Sequence, residues 1–193
     1  PDFATFWSEY KKYKSNYKSA KEIWDIIGGT VKAEVYKHVK EGEDPNTCAA
    51  RVSLTLNAIS GNEIPDNDRE YVNTLKKNEK GSKGNFIVNA AKMGAYLKEK
   101  WGEKAECSDT AAYYFKSTAS DFKTLKKEIK DIVEKKCCRK GFLAVVFSKC
   151  EANTGLSGHV GVVTDDYNDK NTPLTTDTEI WLLPPTKKQE SKK

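Results

Sequence analysis

Helical periodicity fills the first two thirds of the chain and β-like runs fill the rest, a segregation that limits the fold more than any other feature. After Gly141 the texture changes: Phe142 to Phe147 is a continuous apolar run rich in valine. His159 to Val163 is a second such run, and Glu179 to Leu183 a third, closed by Pro184-Pro185. Strands gathered late, after a series of helices, indicate an α+β domain built on a small antiparallel sheet with the N-terminal helices packed on it.

The helices are read from apolar spacing. Phe3, Phe6, Trp7, Tyr10 and Tyr13 form one group, and Ile23, Trp24 and Ile27 a second, ended by Gly28-Gly29, with a lysine-rich loop between them. Residues 30–40 are mixed and charged, and Glu41 to Pro45 reads as a loop. Cys48 to Ile59 is a short helix whose stripe is Val52, Leu56 and Ile59, with Asn46 or Thr47 placed to cap its start. Asp66 to Asn85 is a polar, irregular excursion. Phe86, Ala90, Met93, Leu97 and Trp101 predict a further helix, and Phe122, Leu125, Ile129, Ile132 and Val133 another with a dense lysine face. No apolar run reaches the roughly 18 residues of a membrane span. The first residues carry no charged segment followed by a long apolar stretch, so no ordinary signal peptide is expected. One domain over residues 1–186 is expected, with a charged, disordered tail at 187–193.

The net charge is +5, and the basic residues are almost all lysine, with arginine at 51, 69 and 139 only. Lysines interleaved with acidic residues make a solvated surface, and there is neither an arginine cluster nor a module signature for nucleic-acid binding. Five cysteines leave at least one thiol outside any intramolecular disulfide. No pair has C-x-x-C spacing and only two histidines are present, so no metal site and no cofactor are expected. If Cys48 is free, the other four allow one or two bridges.

Cys48 stands at the first turn of its helix, where unpaired N–H groups and the helix dipole favour a thiolate. Arg51, one turn on, adds positive potential. The alternative is that Cys48 is a small buried hydrophobe facing the same way as Val52. His159 follows Gly158 at the start of a strand, where its side chain can face a cleft, whereas His38 lies in a charged stretch and reads as solvated. A cysteine on a helix N-terminus facing a histidine on a strand is the arrangement of cysteine hydrolases, in which the imidazole takes the thiol proton and later protonates the leaving amine. A third polar group fixes the imidazole tautomer. Asp165, Asp166, Asp169 and Asn171 are the candidates, and Asp169 is favoured over Asp165 and Asp166 because it lies on the far side of the turn. The Cys48 backbone N–H is the expected oxyanion donor.

The segment IGGTVKAEVYKHVKEGEDPNTCAARVSLTLNAISGNEIP resembles the nucleophile region of type VI secretion amidase effectors of the fourth family. Their pattern Asn-Thr-Cys-Ala-x-Arg-x-Ser-x-x-Leu-Asn is met by Asn46, Thr47, Cys48, Ala49, Arg51, Ser53, Leu56 and Asn57. GFLAVVFSKCEANTGLSGHVGVV is similar to the family's apolar strand, loop and Gly-His strand, and EIWLLP to its last strand. The resemblance implies a papain-like fold of the NlpC type and a metal-free Cys-His-Asp amidase. Its substrate would be the D-glutamate–meso-diaminopimelate bond of peptidoglycan stem peptides. It implies delivery by the type VI machinery into the periplasm of a competitor, and a cognate immunity protein that plugs the site; neither nucleic-acid binding nor membrane insertion is implied. The family's cysteines near the aspartate have no counterpart in TDDYNDKNTPLTTD, so a disulfide would use other positions or be absent. The aspartate is also one residue closer to the histidine, and residues 105–138 are an insertion. The alternatives are a cysteine hydrolase or acyltransferase acting on another amide, and a retired fold that binds wall or partner.

Overall fold

The structure is a computed structural model that describes residues 1–65, 75–77, 84–150, 158–169 and 174–186. Helices come first: α1 (Phe3–Tyr10), α2 (Ala20–Ile27), α3 (Gly29–Tyr36) and α4 (Cys48–Ala58). The ribbon strands β1 (Leu75–Lys77) and β2 (Asn85–Ile87) follow, then α5 (Ala90–Trp101), β3 (Tyr113–Ser117) and α6 (Phe122–Asp131), which runs into a π-helical turn at Ile132–Lys136. The strands β4 (Leu143–Ser148), β5 (His159–Thr164) and β6 (Thr178–Leu182) close the described order.

The main sheet has the order β3-β6-β4-β5, with every pair antiparallel. Alternation along its strands divides the interior in two. Leu143, Val145 and Phe147 of β4, Val160 and Val162 of β5 and Trp181 of β6 join Phe6, Tyr10, Val52, Leu56, Met93 and Leu97 from α1, α4 and α5. Ala144, Val146, Val163, Ile180 and Leu182 meet Leu125 and Ile129 of α6 on the other face. Cover on both faces explains why β4 reads as an unbroken apolar run instead of an alternating one. A smaller cluster of Ile23, Trp24, Ile27, Val31, Ala50 and Phe86 seats α2 and α3 against α4. Glu179, buried within β6, accepts from the Tyr114 hydroxyl at 2.6 Å and pairs with Lys98 at 2.5 Å, so its charge is compensated.

The helices expected over the aromatic N-terminal groups, Cys48–Ile59 and Phe122–Val133 are present, as are the three late strands. Three elements differ from the sequence reading. α3 occupies the segment read as mixed; only Val31 of it is buried, so it carries no apolar stripe to announce it. β3 lies in the apparent insertion as an edge strand of the main sheet. Phe86, read as the first turn of a helix, belongs to β2, because Asn89 caps α5 by accepting from the Lys92 N–H at 3.0 Å. Part of the excursion expected at Asp66 to Asn85 is the antiparallel ribbon of β1 with β2. The remainder of that excursion, most of the loop at 152–158, Asn171 and the tail at 187–193 lie outside the described residues.

Cys107 and Cys137 form a disulfide with a Cα–Cα distance of 5.3 Å, which ties the loop after α5 to the end of the π-helical turn. Both lie in the segment read as an insertion. Cys48, Cys138 and Cys150 are free.

Candidate active site

The first turn of α4 is assembled by polar side chains. Asn46 Oδ1 accepts from the Cys48 N–H at 2.9 Å, whereas the N-cap residue Thr47 makes no capping bond; its Oγ1 accepts from Arg51 Nε at 2.8 Å. Of the two candidate caps, Asn46 therefore does the capping. Arg51 is buried and also donates to the Tyr13 carbonyl, tying the chain beyond α1 to α4. Two further motif residues hold β2 beside the helix. Ser53 Oγ donates to the Ile87 carbonyl at 2.9 Å and accepts from its N–H at 3.0 Å, while Asn57 bridges the Asn85 carbonyl and the Ile64 N–H, each at 2.9 Å. Thr47, Arg51, Ser53 and Asn57 of the motif are thus buried polar groups with their partners, and Cys48 lines a cleft beside them. The loop before it is pinned by the Trp24 indole N–H, which donates to the Pro45 carbonyl at 2.9 Å.

Cys48 and Asn46 line two adjoining clefts. One, of about 320 Å³, also includes Tyr10, Arg51, His159 and Asp169. The other, of about 340 Å³, includes Trp24, Val35, Val88 and Gly158. The backbone N–H groups of Val160 and Ala49 donate toward the Cys48 sulfur. The structure therefore brings together the three residues singled out from sequence. Asp165 instead accepts from the Phe142 N–H at 3.3 Å, and Asp166 is exposed. His38 is exposed beside Glu34 and borders the second cleft.

Gly158 fixes how His159 enters β5. Its φ is +136°, and a Cβ there would stand 2.7 Å from both the Phe147 ring and the Ser148 carbonyl oxygen. Only glycine lets the strand start this close to β4, where Ser148 faces His159 in register. Gly158→Ala is expected to destabilise the protein by about 1–3 kcal/mol. It should also displace His159, so the thermal midpoint and the hydrolysis rate should fall together.

The electrostatics differ from the sequence expectation. Burial pushes the Cys48 thiol above its ordinary value and outweighs the opposing pull of the Val160 and Ala49 N–H groups and of Arg51. Burial likewise pushes the His159 imidazole down, with Asp169 opposing it. Both shifts favour the uncharged forms, thiol and imidazole, against the thiolate that the helix terminus and Arg51 favour. The expected oxyanion donor, the Cys48 N–H, is occupied by Asn46 Oδ1 in this conformation.

Asp169 is buried and heavily bonded. Its Oδ2 accepts from the Tyr10 hydroxyl at 2.5 Å and from the Val162 N–H at 2.8 Å, and its Oδ1 accepts from the Tyr167 hydroxyl. Among the described residues no hydrogen bond joins it to His159; the two are linked by charge across the cleft. Tyr10 and Tyr167 were not anticipated as site residues. Tyr10 reads as one more aromatic of the α1 stripe, and Tyr167 sits inside an acidic turn, so neither carries a local signal.

The profile of the family described as Type VI secretion system (T6SS), amidase effector protein 4 (Tae4) matches residues 45–183. The chain belongs to this family. It is accordingly an amidase effector of the type VI secretion system. Among solved structures, the effector Tae4 from Salmonella typhimurium, in complex with the immunity Tai4 from Enterobacter cloacae, is 18% identical with a TM-score of 0.64. That match covers 96% of this chain and 99% of that one. Tae4 in the Tae4–Tai4 complex from Enterobacter cloacae is 15% identical over the same shares, with a TM-score of 0.61. These likenesses identify the fold as papain-like, of the NlpC type. No curated protein matches the chain in sequence.

Proposed function

We propose that this Tae4-family amidase hydrolyses the amide bond between D-glutamate and meso-diaminopimelate in peptidoglycan stem peptides, with Cys48 as nucleophile, His159 as general base and acid, and Asp169 as the group that orients the imidazole. The observation that carries this reading is the meeting of Cys48, at the start of a buried helix, with His159 and Asp169 along one cleft. In the first half-reaction His159 takes the thiol proton as sulfur adds to the carbonyl carbon, and the C–N bond breaks as the imidazole returns that proton to the leaving amine. A thioester remains on Cys48. His159 then takes a proton from water, whose oxygen adds to the thioester carbon, and the acid product leaves as the thiol is restored.

The Cys48 N–H is the oxyanion donor in this scheme once Asn46 Oδ1 has turned away from it. With the thiol held above its ordinary value and the imidazole below, proton transfer belongs to the attack itself and is not completed beforehand. The site of action is the periplasm of a target bacterium, reached through the type VI system, and a cognate immunity protein covers the cleft in the producer's kin. The presence of Tai4 in the solved Tae4 complexes supports this last point.

Mass spectrometry of muropeptides after digestion tests the bond assignment. New termini are expected at the glutamate–diaminopimelate junction. Termini elsewhere, or transfer of the acyl group to another amine, would reassign the substrate or the reaction.

A further inference from the structure

Asp169 receives more support than its place beside a cleft requires, and one of the three bonds to its carboxylate comes from a helix outside the segment that carries the family match. The matched segment is residues 45–183, yet α1 delivers the Tyr10 hydroxyl to Asp169 Oδ2 at 2.5 Å. The Tyr167 hydroxyl reaches Oδ1, and the Val162 N–H shares Oδ2 at 2.8 Å. A carboxylate offers about four lone-pair directions. Tyr10, Val162 and Tyr167 occupy three of them, which leaves one for an imidazole N–H.

The two tyrosines are fixed in turn. Tyr10 is 1% exposed and lies under the α1 aromatics, with the Trp7 ring centroid 6.4 Å from its own; the same Trp7 ring stands 5.5 Å from that of Tyr167. Burial and the Asp169 charge push both phenols above their ordinary value, so both remain O–H donors throughout the working pH range. A phenylalanine at Tyr10 would fill the same core volume, so the hydroxyl is the part that packing leaves unexplained. Its partner is the carboxylate that faces His159 across the cleft.

We infer that Tyr10 and Tyr167 are positioning residues for the amidase reaction, clamping the Asp169 carboxylate so that its remaining lone pair is aimed at His159, and that α1 is thereby part of the active site. This inference rests on the Cys48–His159–Asp169 reading above. Each acts through Asp169, whose carboxylate accepts from its hydroxyl. Without either hydroxyl the carboxylate can rotate about its side-chain torsion toward other donors, and the imidazole loses its fixed tautomer while the groove that binds the stem peptide stays as it is.

The test is steady-state kinetics on a soluble muropeptide with Tyr10→Phe and Tyr167→Phe, each made in the wild-type and in the Asp169→Asn background, with thermal unfolding of every variant. In the wild-type background each substitution should lower kcat about tenfold, the scale of one hydrogen bond to a charged group, and leave KM within about twofold. In the Asp169→Asn background the same substitutions should change kcat little, because the group they act through is gone. Wild-type kcat in both tyrosine variants, with Asp169→Asn impaired, would overturn the clamp and leave the Cys-His-Asp reading intact. An equal loss in both backgrounds would also overturn it, since the tyrosines would then act on stability or binding alone. Wild-type kcat in Asp169→Asn itself would remove the third member of the catalytic set and the clamp with it.

Discussion

Replacing His159 with glutamine is expected to lower kcat on muropeptides by about 10³-fold or more, because the imidazole that moves protons in the proposed scheme is removed. The effect is large for a reason specific to this site. Burial holds the Cys48 thiol above its ordinary value, so a Cys48 nucleophile would need a base at the moment of attack. The pH profile should carry the same signature. His159 is pushed below its ordinary value of 6.5 by burial, so the neutral imidazole persists into mildly acidic solution. The wild-type rate should hold as pH falls to that ordinary value and then drop through a midpoint below it, as the imidazole takes a proton and can no longer accept the thiol's. The residual rate of His159→Gln should lack that acid limb.

Cys48→Ala should have the largest effect of any single substitution, a loss of about 10⁴-fold or more, because the covalent route closes and only weak assistance to direct water attack remains. The change is small in volume. The helix start should persist, since Asn46 caps it through the backbone N–H of residue 48 and Arg51 braces it through Thr47 and Tyr13. An unfolding midpoint close to that of the wild type would separate lost chemistry from lost structure. Cys138 and Cys150, the other free thiols, line neither cleft beside His159, so substituting them should leave the rate unchanged.

How much of this was legible in the sequence depended on whether each residue's role was local. The α4 helix was, because its cap, its cysteine and its apolar stripe all lie between Asn46 and Ile59. β4 was legible as an apolar run, although the cause of the run, α6 lying on the second face, was not. α3 was hidden because it buries only Val31, and β3 because it is an edge strand within a segment that looked like an insertion. Asp169 is favoured by sequence because it lies on the far side of the turn; in the structure it lines the cleft with Cys48, whereas Asp165 accepts from the Phe142 N–H and Asp166 is exposed. The two tyrosine partners of Asp169 were not legible: Tyr10 is separated from it by 159 positions in the chain, and Tyr167 sits inside an acidic turn with no signal of its own. The thiol's electrostatics depart from the sequence expectation for a related reason. Dipole and Arg51 can be read from sequence spacing, whereas the burial that outweighs them is a property of the assembled cleft.

The most direct test of Cys48 as the nucleophile of a wall amidase is side-by-side digestion of isolated peptidoglycan by the wild-type protein and by Cys48→Ala, read by chromatography of the released muropeptides. Wild type should release fragments cut at the stem peptide while the variant leaves the polymer intact; equal release by both would contradict the assignment.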